Sequence, residues 1–135
     1  MANYLVETTI LVDYFRSKPP AITLLNKLYE EENLILVPTV VQAELYYGCR
    51  NEDEEQEISN FVEQGYISVV DLSEDVMRKA VELKRLYGKA HECNLVDMLI
   101  AASALVNSAV LITLNEKHFK MIAGLQYNVP YRATK

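Results

Sequence analysis

Three acids and one amide stand out along this chain for where they fall. Glu7 directly follows the apolar run Tyr4-Leu5-Val6, and Glu44 lies about one turn into the helical pattern after Leu34-Ile35-Leu36-Val37. Asp97 sits three positions after Asn94 at the start of an apolar helical stretch, and Asn115 follows the run Val110-Leu111-Ile112-Thr113 by two residues. Brought to one place, these groups make an all-oxygen site of the kind that hard divalent cations such as Mg²⁺ or Mn²⁺ occupy. Without a cation, carboxylates so close repel, and at least one has a raised, coupled pKa. With one or two ions, such a site holds an activated water and neutralises charge on a phosphodiester under attack.

Each residue also has a simpler reading. An acid at the Asp97 position stabilises a helix N-terminus by about 0.3–1 kcal/mol without any catalytic role. Glu44 also reads as a solvated surface glutamate, and Asn115 as a turn residue or helix cap. Glu7 is harder to set aside, because an acid against a buried strand end is costly without a partner. Asp13, six residues further on, reads as a supporting or surface residue. The run Glu52 to Glu57 reads as a solvated helix start, and His118 beside Phe119 as packing. Other chemistries find no support. Gly48, Gly65, Gly88 and Gly124 are isolated, so there is no phosphate loop. A nucleophile elbow and a Cys-x-x-Cys pair are absent, and His91 and His118 lack metal-ligand spacing. A phospho-receiver needs several acids at the first strand end, where only Glu7 stands.

The elements that must position these residues alternate between strand and helix. Strands are expected at Tyr4–Val6, Leu34–Val37, Ile67–Val70 and Val110–Thr113, with Tyr127–Val129 as a further edge strand. Helical spacing covers 10–15, 21–29, 39–48, 52–62, 74–88, 95–106 and 116–122. Thr39-Val40-Val41-Gln42 has the form of a capping box, Ser73 and Asn94 are N-caps, and Gly88 is a stop signal. The helix from Leu95 is apolar nearly all round and is expected to be the most buried. Alternation of this kind predicts an α/β fold with a mainly parallel sheet of four to five strands, covered on both faces. Ligands bind such sheets at the carboxyl ends of the strands. That points to Glu7–Thr9, Thr39–Glu44, Asp71–Leu72 and Thr113–Asn115.

Composition sets the outer limits. At 135 residues and half apolar, the chain is expected to be a single domain, 1–135, that builds its core without disulfides or metal staples. It has no apolar run long enough to span a membrane and no leader-like start, and Cys49 and Cys93 read as reduced thiols of a cytoplasmic protein. The net charge of −6 argues against a nucleic-acid partner at first sight. Eight of the 19 acids, however, fall in Glu30–Glu32 and Glu52–Glu57, and the rest of the chain is nearly balanced. Basic residues collect at Arg16 and Lys18, at Arg78, Lys79, Lys84, Arg85 and Lys89, and at Lys117 and Lys120. A basic rim around an acidic site is compatible with that distribution. Tyr46 and Tyr47 are adjacent in a helix, so one of them is either at an interface or simply on the surface.

Taken in order, the residues resemble the PIN-domain family, and within it the small VapC-type toxins of prokaryotic toxin–antitoxin pairs. The matching stretches are Tyr4-Leu5-Val6-Glu7-Thr8-Thr9-Ile10-Leu11-Val12-Asp13-Tyr14, Thr39 to Leu45 around Glu44, Asp97-Met98-Leu99-Ile100-Ala101-Ala102, and Leu111-Ile112-Thr113-Leu114-Asn115 with Lys117-His118-Phe119. The resemblance implies a PIN-like three-layer α/β/α sandwich and a metal-dependent endoribonuclease. It further implies Mg²⁺ or Mn²⁺ on Glu7, Glu44, Asp97 and Asn115, with Thr8 and Thr113 in support. An RNA substrate, a small antitoxin partner, a homodimer and a cytoplasmic location follow from it as well. One departure matters: Glu7 and Thr9 stand where the family has Asp and Asn. Glutamate adds one C–C bond, about 1.5 Å of reach, and Mg²⁺ tolerates little misplacement of its oxygens. The alternative is therefore a catalytically weakened PIN-fold protein that acts by binding RNA or protein.

Overall fold

Leu5 and Val6 point to opposite faces of their strand, yet both are fully buried, so the sheet is covered on both sides. Ile35, Leu36 and Val37 repeat this in the next strand. The structure, a computed structural model, describes residues 2–88 and 93–132; Lys89 of the basic group and His91 lie outside the described residues. Its elements are β1 (Asn3–Val6), α1 (Thr8–Phe15), α2 (Pro19–Glu30), β2 (Leu34–Pro38), α3 (Thr39–Tyr47) and α4 (Glu52–Glu63). They continue with β3 (Ser68–Val70), α5 (Glu74–Tyr87), α6 (Leu95–Val106), β4 (Val110–Ile112), α7 (Glu116–Phe119) and β5 (Tyr127–Asn128). The five strands pair in the order β3-β2-β1-β4-β5, every pair parallel. This is the α/β fold expected from the alternation, and the edge strand near Tyr127 is present.

Strand order matters more here than strand existence. From β1 the chain builds outward through β2 to β3, then returns to the other side of β1 to lay down β4 and β5. The direction reverses between β1 and β4, and at the carboxyl ends of such a switch point doubly wound sheets hold their ligands in a crevice. Of the four strand ends singled out above, this topology selects those of β1 and β4.

Helix ends follow local chemistry with two exceptions. The Ser73 side chain accepts from Val76 N, and the Asn51 side chain from Glu54 N. Pro19 and Pro20 open α2 at first-turn positions, where a missing N–H costs nothing. The expected capping box at Thr39 is not formed. Pro38 takes the N-cap position with extended backbone, so Thr39 is already helical and no side chain caps α3. Thr39→Ala is accordingly expected to change the unfolding free energy by less than about 0.5 kcal/mol, against about 1 kcal/mol for a working Thr cap; urea denaturation checks it. The last helix ends at Phe119 rather than Ile122, with Lys120 as its C-cap.

Helix α6 is the most deeply placed element, with all eight residues from Asp97 to Ala104 buried. Ser103 at its centre satisfies its hydroxyl on Leu99 O at 2.8 Å. The tyrosine pair divides as helix geometry requires: the Tyr46 hydroxyl is 2.7 Å from Ser59 Oγ, whereas Tyr47 is 95% exposed. Cys49 and Cys93 are both free thiols.

Candidate active site

The buried carboxylate of Glu7 is the hub of the β1/β4 crevice. Glu7 N donates to Ile112 O at 3.0 Å, which places the residue at the last rung between the two strands. Its side chain then turns back as the N-cap of α1, with Oε2 accepting from Thr9 N at 2.9 Å. Oε1 accepts from three donors: Thr113 Oγ1 at 2.7 Å, Thr9 Oγ1 at 3.2 Å and, more weakly, Asn115 Nδ2 at 3.4 Å. Thr113 is completely buried and its hydroxyl also accepts from Asn115 N at 2.9 Å, so it fixes Glu7 and Asn115 together. Thr9, the departure from the family pattern, holds Glu7 through both its backbone and its hydroxyl.

Glu44 and Asp97 make no hydrogen bond to this hub. Glu44 is exposed on α3, and its Oε1 accepts from Thr8 Oγ1 at 2.5 Å, next to Glu7 in the chain. Asp97 is buried in the first turn of α6 and forms a reciprocal capping box with Asn94: Asp97 N donates to Asn94 Oδ1 at 2.8 Å, and Asn94 N to Asp97 Oδ2 at 3.2 Å. The simpler reading of Asp97 as an N-terminal stabiliser is thus realised, but it occupies only one carboxylate oxygen. Oδ1 accepts no hydrogen bond among the described residues. Burial raises the Asp97 carboxyl above its ordinary value, and the Asn94 amide and the nearby His118 ring offset this only in part. The same burial, with the Asp97 charge, pushes the Cys93 thiol up to about 11.

One reading of an individual residue needs correction, and another is decided between its alternatives. His118, expected to be packing alone, does lie against Phe119, but its Nδ1 is 3.2 Å from Asp97 Oδ2. Its own backbone N–H is bonded to Asn115 O at 3.0 Å, so the ring reaches from the Asn115 turn to α6. Nothing local could reveal this, because 21 residues separate it from Asp97 in the chain. Of the two readings of Asp13, supporting or surface, the structure realises the first. The residue is buried, takes the Tyr131 hydroxyl at 3.0 Å and has Lys18 Nζ at 3.5 Å, so it supports the C-terminal segment and not the crevice.

The donors at the crevice are carboxylate and amide oxygens, which suit Mg²⁺ or Mn²⁺ and not a thiophilic metal. Among the described residues, no three of His, Cys, Asp and Glu stand together as a ready cage. Mg²⁺ commonly takes only one or two carboxylates and keeps water in its other positions. The free Oδ1 of a buried, charge-strained Asp97 fits that mode. A cleft of about 500 Å³ lined by Tyr14, Leu25, Tyr29, Phe61 and Tyr66 lies elsewhere and contains none of the candidate residues.

Residues 4–125 match the model of the PIN domain. The chain is 37% identical over 123 residues to Ribonuclease VapC19 of Mycobacterium tuberculosis, covering 90% of this chain and 96% of that one. Among solved structures, VapBC2 from Rickettsia felis bound to a DNA fragment from its promoter superposes with a TM-score of 0.80 at 27% identity, over 93% of this chain and 97% of that one. A toxin–antitoxin complex from Klebsiella pneumoniae superposes with a TM-score of 0.74 at 26% identity, over 96% and 99%.

Proposed function

Because this chain belongs to the PIN-domain family, we propose that it is the ribonuclease toxin of a toxin–antitoxin pair, cleaving RNA phosphodiester bonds at the β1/β4 crevice with Mg²⁺ or Mn²⁺. One observation carries the reading. Glu7, Asn115, Asp97 and Glu44, far apart in the chain, are linked into one strip at the carboxyl edge by Thr113, His118 and Thr8.

When bound, the ion supplies an activated water and neutralises charge on the phosphodiester. Asp97 offers it Oδ1, while Asn94 holds the other oxygen. Glu7 brings a second carboxylate, kept in place by Thr9 and Thr113. Asn115 contributes its amide from the turn that Thr113 fixes. Glu44, exposed and steadied by Thr8, stands on the solvent side, where an RNA backbone arrives. The partners in this reading are the RNA, a small antitoxin that silences the site, and a second copy of the chain, all in the cytoplasm. The relatives named above support it, and no described helix is long and apolar enough to cross a membrane.

Purified chain incubated with RNA and Mn²⁺ or Mg²⁺ is expected to cut it, and chelation is expected to stop the reaction. A second reading rests on one specific feature, the longer arm of Glu7, whose Oε1 already serves three donors. RNA that is bound but left intact with either ion supports that reading, a PIN-fold binding protein, over the nuclease.

A further inference from the structure

His118 is the residue in the crevice that neither the capping chemistry nor the core explains. Its Nδ1 is buried and makes no aligned hydrogen bond, although Asp97 Oδ2 lies only 3.2 Å away. An unpaired buried nitrogen is costly, and the carboxylate is the acceptor beside it. The ring is not free to leave, because its backbone is tied to Asn115 O and its side chain packs by Phe119, which is fully buried. Asp97 needs such a neighbour. The last torsion of an aspartate is broad, so a single bond from Asn94 N to Oδ2 does not settle the plane of the carboxylate.

We propose that His118 is a positioning residue: its Nδ1–H, turned onto Asp97 Oδ2 alongside Asn94 N, fixes the carboxylate with Oδ1 facing the cation. The assignment rests on the metal-dependent reading of the site given above. It also couples the two halves of the crevice, since the residue that orients Asp97 on α6 hangs from the turn that carries Asn115. Ligating carboxylates are commonly held by such a partner, and its loss weakens metal binding or activity about 10–100-fold.

The test is Mn²⁺ calorimetry on the full chain as wild type, His118→Leu and His118→Asn, with melting of the metal-free proteins alongside. Leucine fills the space without a donor, whereas the Asn amide places an N–H close to where Nδ1 stood. His118→Leu is expected to lose at least about tenfold in Mn²⁺ affinity and His118→Asn to recover most of it, with similar melting temperatures. Wild-type affinity in His118→Leu, or an equal loss in both variants, overturns the positioning role. A wild type that takes up no Mn²⁺ overturns the metal-dependent reading instead, and this assignment with it.

Discussion

Asp97→Asn is expected to cut RNA cleavage by more than about 100-fold, since even an outer partner of a metal ligand is worth about 10–100-fold, while raising the melting temperature of the metal-free protein. The two effects have one cause. Asp97 carries its charge in a buried place, and burial lifts its carboxyl above the ordinary 3.8 by more than Asn94 and His118 lower it. The folded state therefore holds a proton on this group more tightly than the unfolded chain does. Where the unfolded state binds fewer protons, stability falls as pH rises. The decline runs from the ordinary carboxylate value up through the raised one, and at neutral pH the ionised group is a net liability. Asparagine removes the charge and keeps an oxygen to accept from Asn94 N. Thermal melts of wild type and variant should converge in acid and separate above the raised value, with the variant more stable. A variant that melts lower at pH 7 would mean that Asn94 and His118 stabilise the carboxylate by more than its burial costs. Loss of activity with a gain of stability is the mark of a residue kept for chemistry.

The second large effect has the opposite sign. Glu7→Ala is expected to destabilise the fold by about 2–5 kcal/mol, the sum of a lost N-cap and of a buried hydroxyl left without its acceptor. The cap is the bond from Thr9 N, and the hydroxyl is that of Thr113, which has no access to water. For a chain of 135 residues this lowers the melting temperature by on the order of 10 °C. Glu7→Asp separates the two duties. Aspartate still caps α1, but its carboxylate draws back by about 1.5 Å and no longer reaches Thr113. Its melting temperature should fall between those of wild type and Glu7→Ala. A Glu7→Ala protein as stable as wild type would show that the hub contributes nothing to folding. Glu7 and Asp97 thus stand in opposite relations to stability, although both are buried acids beside the same crevice. Glu7 receives four donors, Asp97 too few for its burial.

Much of this molecule could be read locally. Strand runs such as Leu34 to Val37 and the apolar wrap of α6 follow from periodicity, and the caps at Ser73 and Asn94 from residue type. Thr39 failed as a cap because the residue before it, Pro38, already had the extended backbone that an N-cap requires. Among the candidate residues, Glu7 was conspicuous as an acid against a buried strand, and Asp97 by its place in the first turn of α6. His118 left no such trace.

By itself, the amino-acid order determined which segments become strands and helices and which polar residues fall at their ends, because hydrogen bonding and side-chain rotamers act over about four residues. It did not determine which ends meet. Glu7 and Thr113 are 106 positions apart, and their hydroxyl–carboxylate bond exists only because β4 returns beside β1 instead of extending the sheet past β3. That choice depends on how whole helical layers pack against both faces of the sheet, a property of the assembled core that no local window contains. The same packing brings the His118 ring to Asp97 across 21 residues of chain.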